Sequence, residues 1–275
     1  MTRIIAVLLA SVLSTASYAQ DGRWFEIEVM IFTQPNGQIT ETLRNEDIDV
    51  SKYAFDQDLL TSAYQRTLSQ LCLEGKISPP VTPTPTVDFF AQEQPHSAIC
   101  DYSQADFGGQ QQLPTVLRLP EFEHTDAPYL LATSQLQFSD KIAELKRQGR
   151  HTILHTGWRF PGQSKRKAPR YRLFAGDAVV IKPQNVNTPL AGALPLPSTA
   201  HADAAVPLWQ LDGFLKVHLN HYLYITSNLL VRESVDTDTD VSAEFSQFRR
   251  VISGEIHYFD HPHIGMLVQI RRFNH

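Results

Sequence analysis

The chain lacks the short motifs by which many enzymes are recognised. Its 275 residues include 13 glycines, but no Gly-rich phosphate loop, no GxSxG nucleophile elbow and no HExxH zinc-binding helix. These absences count against nucleotide-binding proteins, serine hydrolases and zinc proteases of the familiar kinds. Catalysis by residues far apart in sequence stays open, since active sites are assembled in three dimensions.

Long hydrophobic runs are also missing beyond the N-terminus. Residues 4–13 are mostly apolar, follow Arg3, and precede the small-residue sequence SYA, which is typical of a cleavage site. This pattern predicts a secretory signal peptide over residues 1–19. No later segment reaches the roughly 18 apolar residues that a transmembrane helix needs. We therefore expect an exported protein that is not membrane-spanning.

Cysteine is scarce, with only Cys72 and Cys100 in the whole chain. Neither has a CxxC spacing or a nearby histidine, so redox and nucleophilic roles have no support. In an oxidising compartment a lone pair of cysteines usually forms a disulfide. We predict a Cys72–Cys100 bond, the alternative being two free thiols.

Positive charge is in slight deficit. Lys and Arg number 24 against 29 for Asp and Glu, which gives a net charge of −5 and argues against nucleic acid as a general partner. The basic residues are nevertheless clustered. Such clusters could meet an anionic polymer, or they could be solvated faces. They comprise Lys165, Arg166, Lys167, Arg170 and Arg172, and the pairs Arg249-Arg250 and Arg271-Arg272.

Hydrophobic periodicity predicts a mixture of strands and helices. Residues 23–34 alternate as a strand does, and residues 213–231 give the longest strand signal. Residues 57–73 and 134–150 have apolar side chains at helical spacing. The last part of the chain, residues 248–273, predicts two strands joined by a turn at the sequence DHPHIG.

This order of elements predicts an α+β fold. We expect an antiparallel sheet with helices packed mainly on one face, and long irregular insertions. Residues 20–275 would form a single domain. Within it, the Pro-rich residues 75–128 cannot continue a helix or a central strand and are predicted to be an irregular insertion. Residues 183–207 are predicted to be a flexible loop.

The sequence GEIHYFDHPHIG contains a cluster that could bind a metal. Zinc catalysis normally needs three converging protein ligands, and a proline holds the chain between two of the histidines here. Asp260, Pro262 and Gly265 also suit a tight hairpin turn, which we favour, so no metal and no cofactor are predicted. The candidate ligands are His257, Asp260, His261 and His263.

Several segments together resemble the CsiV family of periplasmic proteins. They are RWFEIEVMIF, HTGWR, LDGFLKVHLNHYLYI and the closing FRRVISGEIHYFDHPHIGMLVQIRRF. The resemblance implies a non-enzymatic role in envelope maintenance. It also implies peptidoglycan as ligand and, as partner, a cell-wall synthase or its lipoprotein activator. It provides no ligand residues that can be transferred to this chain.

The binding surface is therefore predicted from the residues alone. In the segment 213–231, aliphatic side chains alternate with aromatic and polar ones, which could stack on sugars and hydrogen-bond to N-acetyl groups. A neighbouring C-terminal hairpin would extend that surface, and arginines would bind carboxylates at its rim. The predicted peptidoglycan-binding residues are His218, Asn220, Tyr222, Tyr224, His257, Tyr258, Arg249 and Arg250.

Two other functions remain open at this point. The chain could be a protein-interaction module that regulates a cell-wall synthase or its lipoprotein activator. It could also be a metal-dependent cell-wall hydrolase that uses the histidine cluster. Binding to purified sacculi separates the first alternative from peptidoglycan binding, and metal analysis of untagged protein tests the second.

Overall fold

The structure is a computed structural model that describes residues 22–34, 43–44, 48–80, 99–103, 107–179, 208–235 and 239–274. The predicted signal peptide and the predicted flexible loop 183–207 lie outside the described residues. So do residues 81–98 of the predicted Pro-rich insertion.

The described residues form ten β-strands, two α-helices and three short 3-10 helices. In chain order the strands and α-helices are β1 (Trp24–Thr33), β2 (Leu43–Arg44), α1 (Leu60–Leu73), β3 (Tyr129–Leu130), α2 (Ser139–Arg147), β4 (Thr152–Pro161), β5 (Arg170–Val179), β6 (Leu208–Asn220), β7 (Tyr222–Val235), β8 (Thr239–Val251), β9 (Ile256–Asp260) and β10 (Ile264–Phe273). The 3-10 helices are Val50–Tyr53, Phe107–Gly109 and Thr133–Gln135.

The strands form two five-stranded sheets in which neighbouring strands are antiparallel. The first sheet has the order β3-β4-β1-β10-β9, and the second has the order β2-β8-β7-β6-β5. Each sheet turns one face inward, and the inward side chains of both belong to a single buried cluster. The fold is therefore a β-sandwich, in which alternating residues of each strand fill the space between the sheets.

The prediction of an α+β fold with helices on one face is wrong. The two α-helices do not form a layer. Tyr64 of α1 enters the main core, where its hydroxyl donates to the carbonyl of Phe174 at 3.0 Å. Leu145 of α2 instead packs on the outer face of the first sheet, in a second cluster with Met30 and Phe32. Helical spacing in the sequence predicts that a helix exists, but it does not predict which surface of the protein the helix packs against.

Strand β1 is confirmed, and it is buried on both faces. Phe25, Ile27, Val29 and Ile31 point into the main core, as their alternation predicts. The other face was expected to be exposed, but it carries Glu28, which is fully buried beneath the segment that leads into α2.

The predicted helices are shorter in the structure than in the sequence analysis. Helix α1 begins at Leu60, because the carboxylate of Asp58 accepts the backbone N–H groups of Leu60 and Thr61 at 2.9 and 3.0 Å. Gly75 follows its end at a positive φ of 69°. Residues 134–138 were expected to be helical, but α2 begins only at Ser139.

The long strand predicted over residues 213–231 is two strands. The chain reverses at His221, whose φ is +59°, so that β6 and β7 form a hairpin. Asn220 pairs with Tyr222, and Leu219 with Leu223. The two residue numbers of each pair are both even or both odd. Even-numbered residues therefore stay on one face of the sheet through the turn, and odd-numbered residues stay on the other. The side chains therefore divide between two faces as the alternation predicts, although the segment forms two strands rather than one.

The disulfide prediction is confirmed, as Cys72 and Cys100 are bonded with their Cα atoms 5.7 Å apart. The bond joins the end of α1 to the irregular segment that follows. The described part of this segment lies partly in the core, since Phe107, Leu113 and Leu117 are buried there.

Candidate functional site

The candidate site lies on the outer side of the second sheet, where β6, β7 and β8 run side by side. Directly paired residues form three rows across these strands, and together we call them the open face. The rows are Asn220 and Tyr222; then His218, Tyr224 and Arg250; then Lys216, Thr226 and Phe248.

The rest of this outer side is covered by residues 48–58. The side-chain amide of Asn228, one row beyond the open face, donates to the carbonyl of Lys52 at 3.5 Å. The ammonium of Lys52 also lies 3.9 Å from the carboxylate of Glu244. The covering segment therefore defines where the open face ends.

Three rings on the open face lie nearly parallel. The ring centroids of His218 and Tyr224 are 5.1 Å apart, and those of Tyr224 and Phe248 are 5.8 Å apart. The interplanar angles are 12° and 6°. Phe248 is 62% exposed and Tyr222 is 50% exposed, which is high for such large apolar side chains. The face thus presents aromatic surface to solvent rather than to the core.

The charges around this face are positive. The guanidinium of Arg250 lies 4.6 Å from the centroid of the Tyr222 ring. Burial, together with the ammonium groups of Lys165 and Lys216, holds the pKa of His218 below its ordinary value. Lys165 belongs to the exposed β4–β5 turn, which reaches β6 through a 2.8 Å bond from the N–H of Leu219 to the carbonyl of Gln163.

The open face brings together five of the predicted site residues and three that the predicted site omitted, which are Lys216, Thr226 and Phe248. The five are His218, Asn220, Tyr222, Tyr224 and Arg250. Phe248 was omitted, although it lies two residues before Arg250 and must share its face in a strand. The alternation rule could have found it.

Arg249, His257 and Tyr258 lie elsewhere. Arg249 faces the opposite side of β8 from Arg250, and its guanidinium donates to the carbonyl of Tyr258 at 2.7 Å. His257 accepts the N–H of Ile252 at 3.0 Å, within the β8–β9 turn. The hydroxyl of Tyr258 accepts a hydrogen bond from the side chain of Gln34 and donates one to the side chain of Asp260. Because β9 pairs with β10 in the first sheet, the C-terminal hairpin does not extend the open face.

The sequence DHPHIG is confirmed as the turn between β9 and β10. The rings of His261 and His263 are 5.5 Å apart, and His263 is buried. Burial, and then the neighbouring His263, lower the pKa of His261, although Asp260 opposes them. Within the described residues, no group of three or more His, Cys, Asp or Glu side chains could hold a metal ion.

The basic clusters divide into paired and exposed residues. Arg170 binds both carboxylate oxygens of Asp56, and Arg172 lies 3.2 Å from Asp58 and from Asp212. These two arginines therefore form ion pairs within the protein. In contrast, the side chains in the turn at residues 165–167 are exposed, and none of them takes part in an ion pair among the described residues.

A buried polar network lies on the outer face of the first sheet. Oε1 of Glu28 accepts the backbone N–H groups of Gln137 and Phe138, each at 2.7 Å, and lies 2.8 Å from Nε2 of His155. Its Oε2 lies 3.3 Å from Arg271. Burial alone would raise the pKa of Glu28, but these hydrogen bonds outweigh burial and lower it. The network holds the start of α2 against the sheet.

The fold and the open face together define a β-sandwich protein with an exposed aromatic and cationic surface on one sheet. The family model of the CsiV peptidoglycan-binding proteins matches residues 4–273, nearly the whole chain, and the chain belongs to this family. No curated protein and no solved structure matches it significantly. In the described part of the chain, no helix has the length and apolar character needed to cross a membrane.

Proposed function

We propose that the chain is a non-enzymatic, periplasmic peptidoglycan-binding protein, and that it binds the glycan on the open face. Membership of the CsiV family supports the ligand, and the predicted signal peptide supports export. The protein would support cell-wall synthesis and envelope integrity, with a cell-wall synthase or its lipoprotein activator as partner.

The observation behind this site is the exposed aromatic surface of Tyr222, Tyr224 and Phe248. Flat rings in a row can stack on the apolar faces of successive sugars, and a tyrosine hydroxyl can bond to an N-acetyl group. Strands β6 and β7 are each paired on both sides and β8 is paired with β7, so the backbone that carries the rings is ordered before a ligand arrives. Little ordering would therefore be needed on binding.

The charge of the open face also fits the proposed ligand. Peptidoglycan carries free carboxylates on its stem peptides, and on its lactyl groups where the stem peptide is absent. Arg250, Lys216 and Lys165 lie on or beside the rings. Among the described side chains of β6, β7 and β8 on this side of the sheet, the acidic ones are Asp212 and Glu244, which lie in the covered part and are each in an ion pair. An anionic polymer would thus meet attraction at the rings without nearby repulsion.

Cosedimentation with purified sacculi tests this proposal. Tyr222→Ala and Phe248→Ala remove the two most exposed rings of the face, so both variants should fold as the wild type does. We expect each to reduce the bound fraction several-fold, because stacking contributes to every bound sugar. Phe122→Ala is a matched control, since Phe122 is 37% exposed and lies outside the second sheet. Circular dichroism checks the fold of all three.

Two outcomes would contradict the proposal. Full retention of folded Tyr222→Ala and Phe248→Ala variants would show that the glycan binds elsewhere. A Tyr258→Ala variant identifies the alternative, because Tyr258 is 40% exposed on the edge of the first sheet. Loss of binding in that variant alone would move the site to β9. Failure of the wild type to bind sacculi would favour a pure protein-interaction role.

A further inference from the structure

His218 is a buried polar side chain without a partner. Its side chain belongs to the open face but is only 4% exposed, lying against Tyr224 and Phe248. Its Nδ1 is buried and has no hydrogen-bond partner within the described part of the chain. Buried polar groups are nearly always paired in proteins, so an unpaired imidazole at an exposed face is a candidate for pairing with a ligand.

The charges that face His218 indicate which ligand. Lys165 approaches from the β4–β5 turn and Lys216 from two residues earlier on β6, and both disfavour a positive imidazole. Arg250 lies across Tyr224 in the same row. Asp56 interacts with Lys216, and it is itself bound by Arg170. Positive charge around His218 is therefore in excess.

We propose that His218, together with Lys165 and Lys216, forms a carboxylate subsite. In this subsite an imidazole N–H donates to a ligand carboxylate, and the two ammonium groups supply positive charge. The proposal rests on the open face being the glycan site and states which part of the polymer it recognises. The rings of the open face would bind the sugars of the polymer, and the carboxylate subsite would bind an acidic group of its lactyl or stem-peptide portion.

A neutral ligand group suits the carboxylate subsite less well than a carboxylate does. A sugar hydroxyl or an amide could also pair with the imidazole, but neither would use the two lysines. A carboxylate uses all three groups and forms charge-assisted hydrogen bonds, which are stronger than neutral ones. The subsite would therefore distinguish peptidoglycan from an uncharged polymer of N-acetylglucosamine.

Three soluble probes test this distinction by calorimetry. They are a chitin oligosaccharide, a peptide-bearing muropeptide, and the same muropeptide with its carboxyl groups amidated. We expect the wild type to prefer the acidic muropeptide to the amidated one by about 10-fold or more, equivalent to about 1.4 kcal/mol. Binding of the chitin oligosaccharide should depend on the rings alone.

His218→Phe is the most informative variant, because phenylalanine keeps a flat ring of similar size and removes both nitrogens. It should fold with a melting temperature equal to or above that of the wild type, since an unpaired buried group disappears. Its preference for the acidic muropeptide should fall about 10-fold relative to the wild type. Lys165→Ala should also lower the preference. Lys146→Ala, an exposed lysine on α2, is the matched control.

Proton uptake provides a second readout. A carboxylate beside the imidazole raises its pKa above that of the free protein, so binding of the acidic probe should strengthen as the pH falls from 8 toward 6. The carboxylates of the probe stay ionised in this range, as their pKa values lie near 4. Neither the chitin oligosaccharide nor the His218→Phe variant should show this dependence.

The results separate this inference from the proposed function. If Tyr222→Ala loses binding while His218→Phe keeps both its preference and its pH dependence, the open face binds glycan and the carboxylate subsite is refuted. If neither variant changes any affinity, both proposals fail. Equal wild-type affinity for the acidic and amidated muropeptides would refute the subsite by itself.

Discussion

Glu28 provides the strongest test of the physical reasoning about this fold. It is fully buried and accepts two backbone N–H groups, a histidine N–H and an arginine N–H. In a Glu28→Ala variant the two backbone N–H groups and His155 would lose a buried acceptor, whereas Arg271 would keep its bonds to Glu26 and Gln269. Removing one member of a buried, hydrogen-bonded charge pair typically costs about 3–5 kcal/mol, and we expect a loss of stability in that range.

Glu28→Gln separates hydrogen bonding from charge. Its amide oxygen can still accept from Gln137, Phe138 and His155, whereas its NH₂ group would face the donor of Arg271. We therefore expect a smaller loss, about 1–2 kcal/mol. The surface control is Glu144→Ala, whose carboxylate forms an exposed ion pair with Lys141 at 3.3 Å. That change should cost less than about 1 kcal/mol.

The pH dependence of stability follows from the lowered pKa of Glu28. A group whose folded-state pKa lies below its ordinary value of 4.5 stabilises the fold above that pH, and the stabilisation is lost as the pH falls toward the folded-state pKa. The wild type should lose stability below about pH 4.5, by up to about 1.4 kcal/mol per pH unit for this proton. Glu28→Gln should lose less over the same range.

Urea unfolding, followed by tryptophan fluorescence with the disulfide intact, measures these differences. A loss below about 1 kcal/mol for Glu28→Ala would refute the argument that this carboxylate anchors the start of α2. Identical acid sensitivity in Glu28→Gln and the wild type would show that Glu28 is not the group that titrates.

Three further predictions concern the disulfide, a close aromatic contact and catalysis. Replacing Cys72 and Cys100 by Ser should lower the free energy of unfolding by about 3–4 kcal/mol, because the bond closes a loop with a sequence separation of 28 residues; thiol titration of denatured, unreduced wild type should find no free thiol. Gly265→Ala should destabilise by about 1–3 kcal/mol in urea unfolding, since a Cβ would lie 2.4 Å from the Phe32 ring, whereas Gly22→Ala, with open space around it, should have little effect. Muropeptide profiles of sacculi should be unchanged after long incubation with the protein, with or without added zinc; new products that disappear in His261→Ala would establish hydrolysis instead.

Local periodicity predicted much of the fold because burial follows the backbone repeat. The alternation of Phe25, Ile27 and Val29 predicted a strand with one face in the core, and that face is there. The reversal at His221 was missed, because the turn has no Gly or Pro and the alternation continues through it. A positive φ is uncommon at any residue other than glycine, so the reversal at His221 was not expected.

The division into two sheets could not be predicted from local patterns. Whether β9 pairs with β10 or beside β7 depends on register between distant residues, and this decides whether Tyr258 joins the open face. Alternation alone, by contrast, places Arg249 and Arg250 on opposite sides of β8 and could have separated them. The buried charge on Glu28 also followed from no local signal, since its partners come from the segment before α2, from β4 and from β10.

Hydrogen–deuterium exchange with and without a saturating soluble muropeptide locates the ligand most directly, since it needs no substitution. We expect slower exchange in residues 216–226 and 246–251, which contain the open face, and no change in residues 139–147 or 256–260 on the side of the first sheet. Slower exchange confined to residues 256–260, with the open face unchanged, would contradict the central claim that the glycan binds on the outer side of the second sheet.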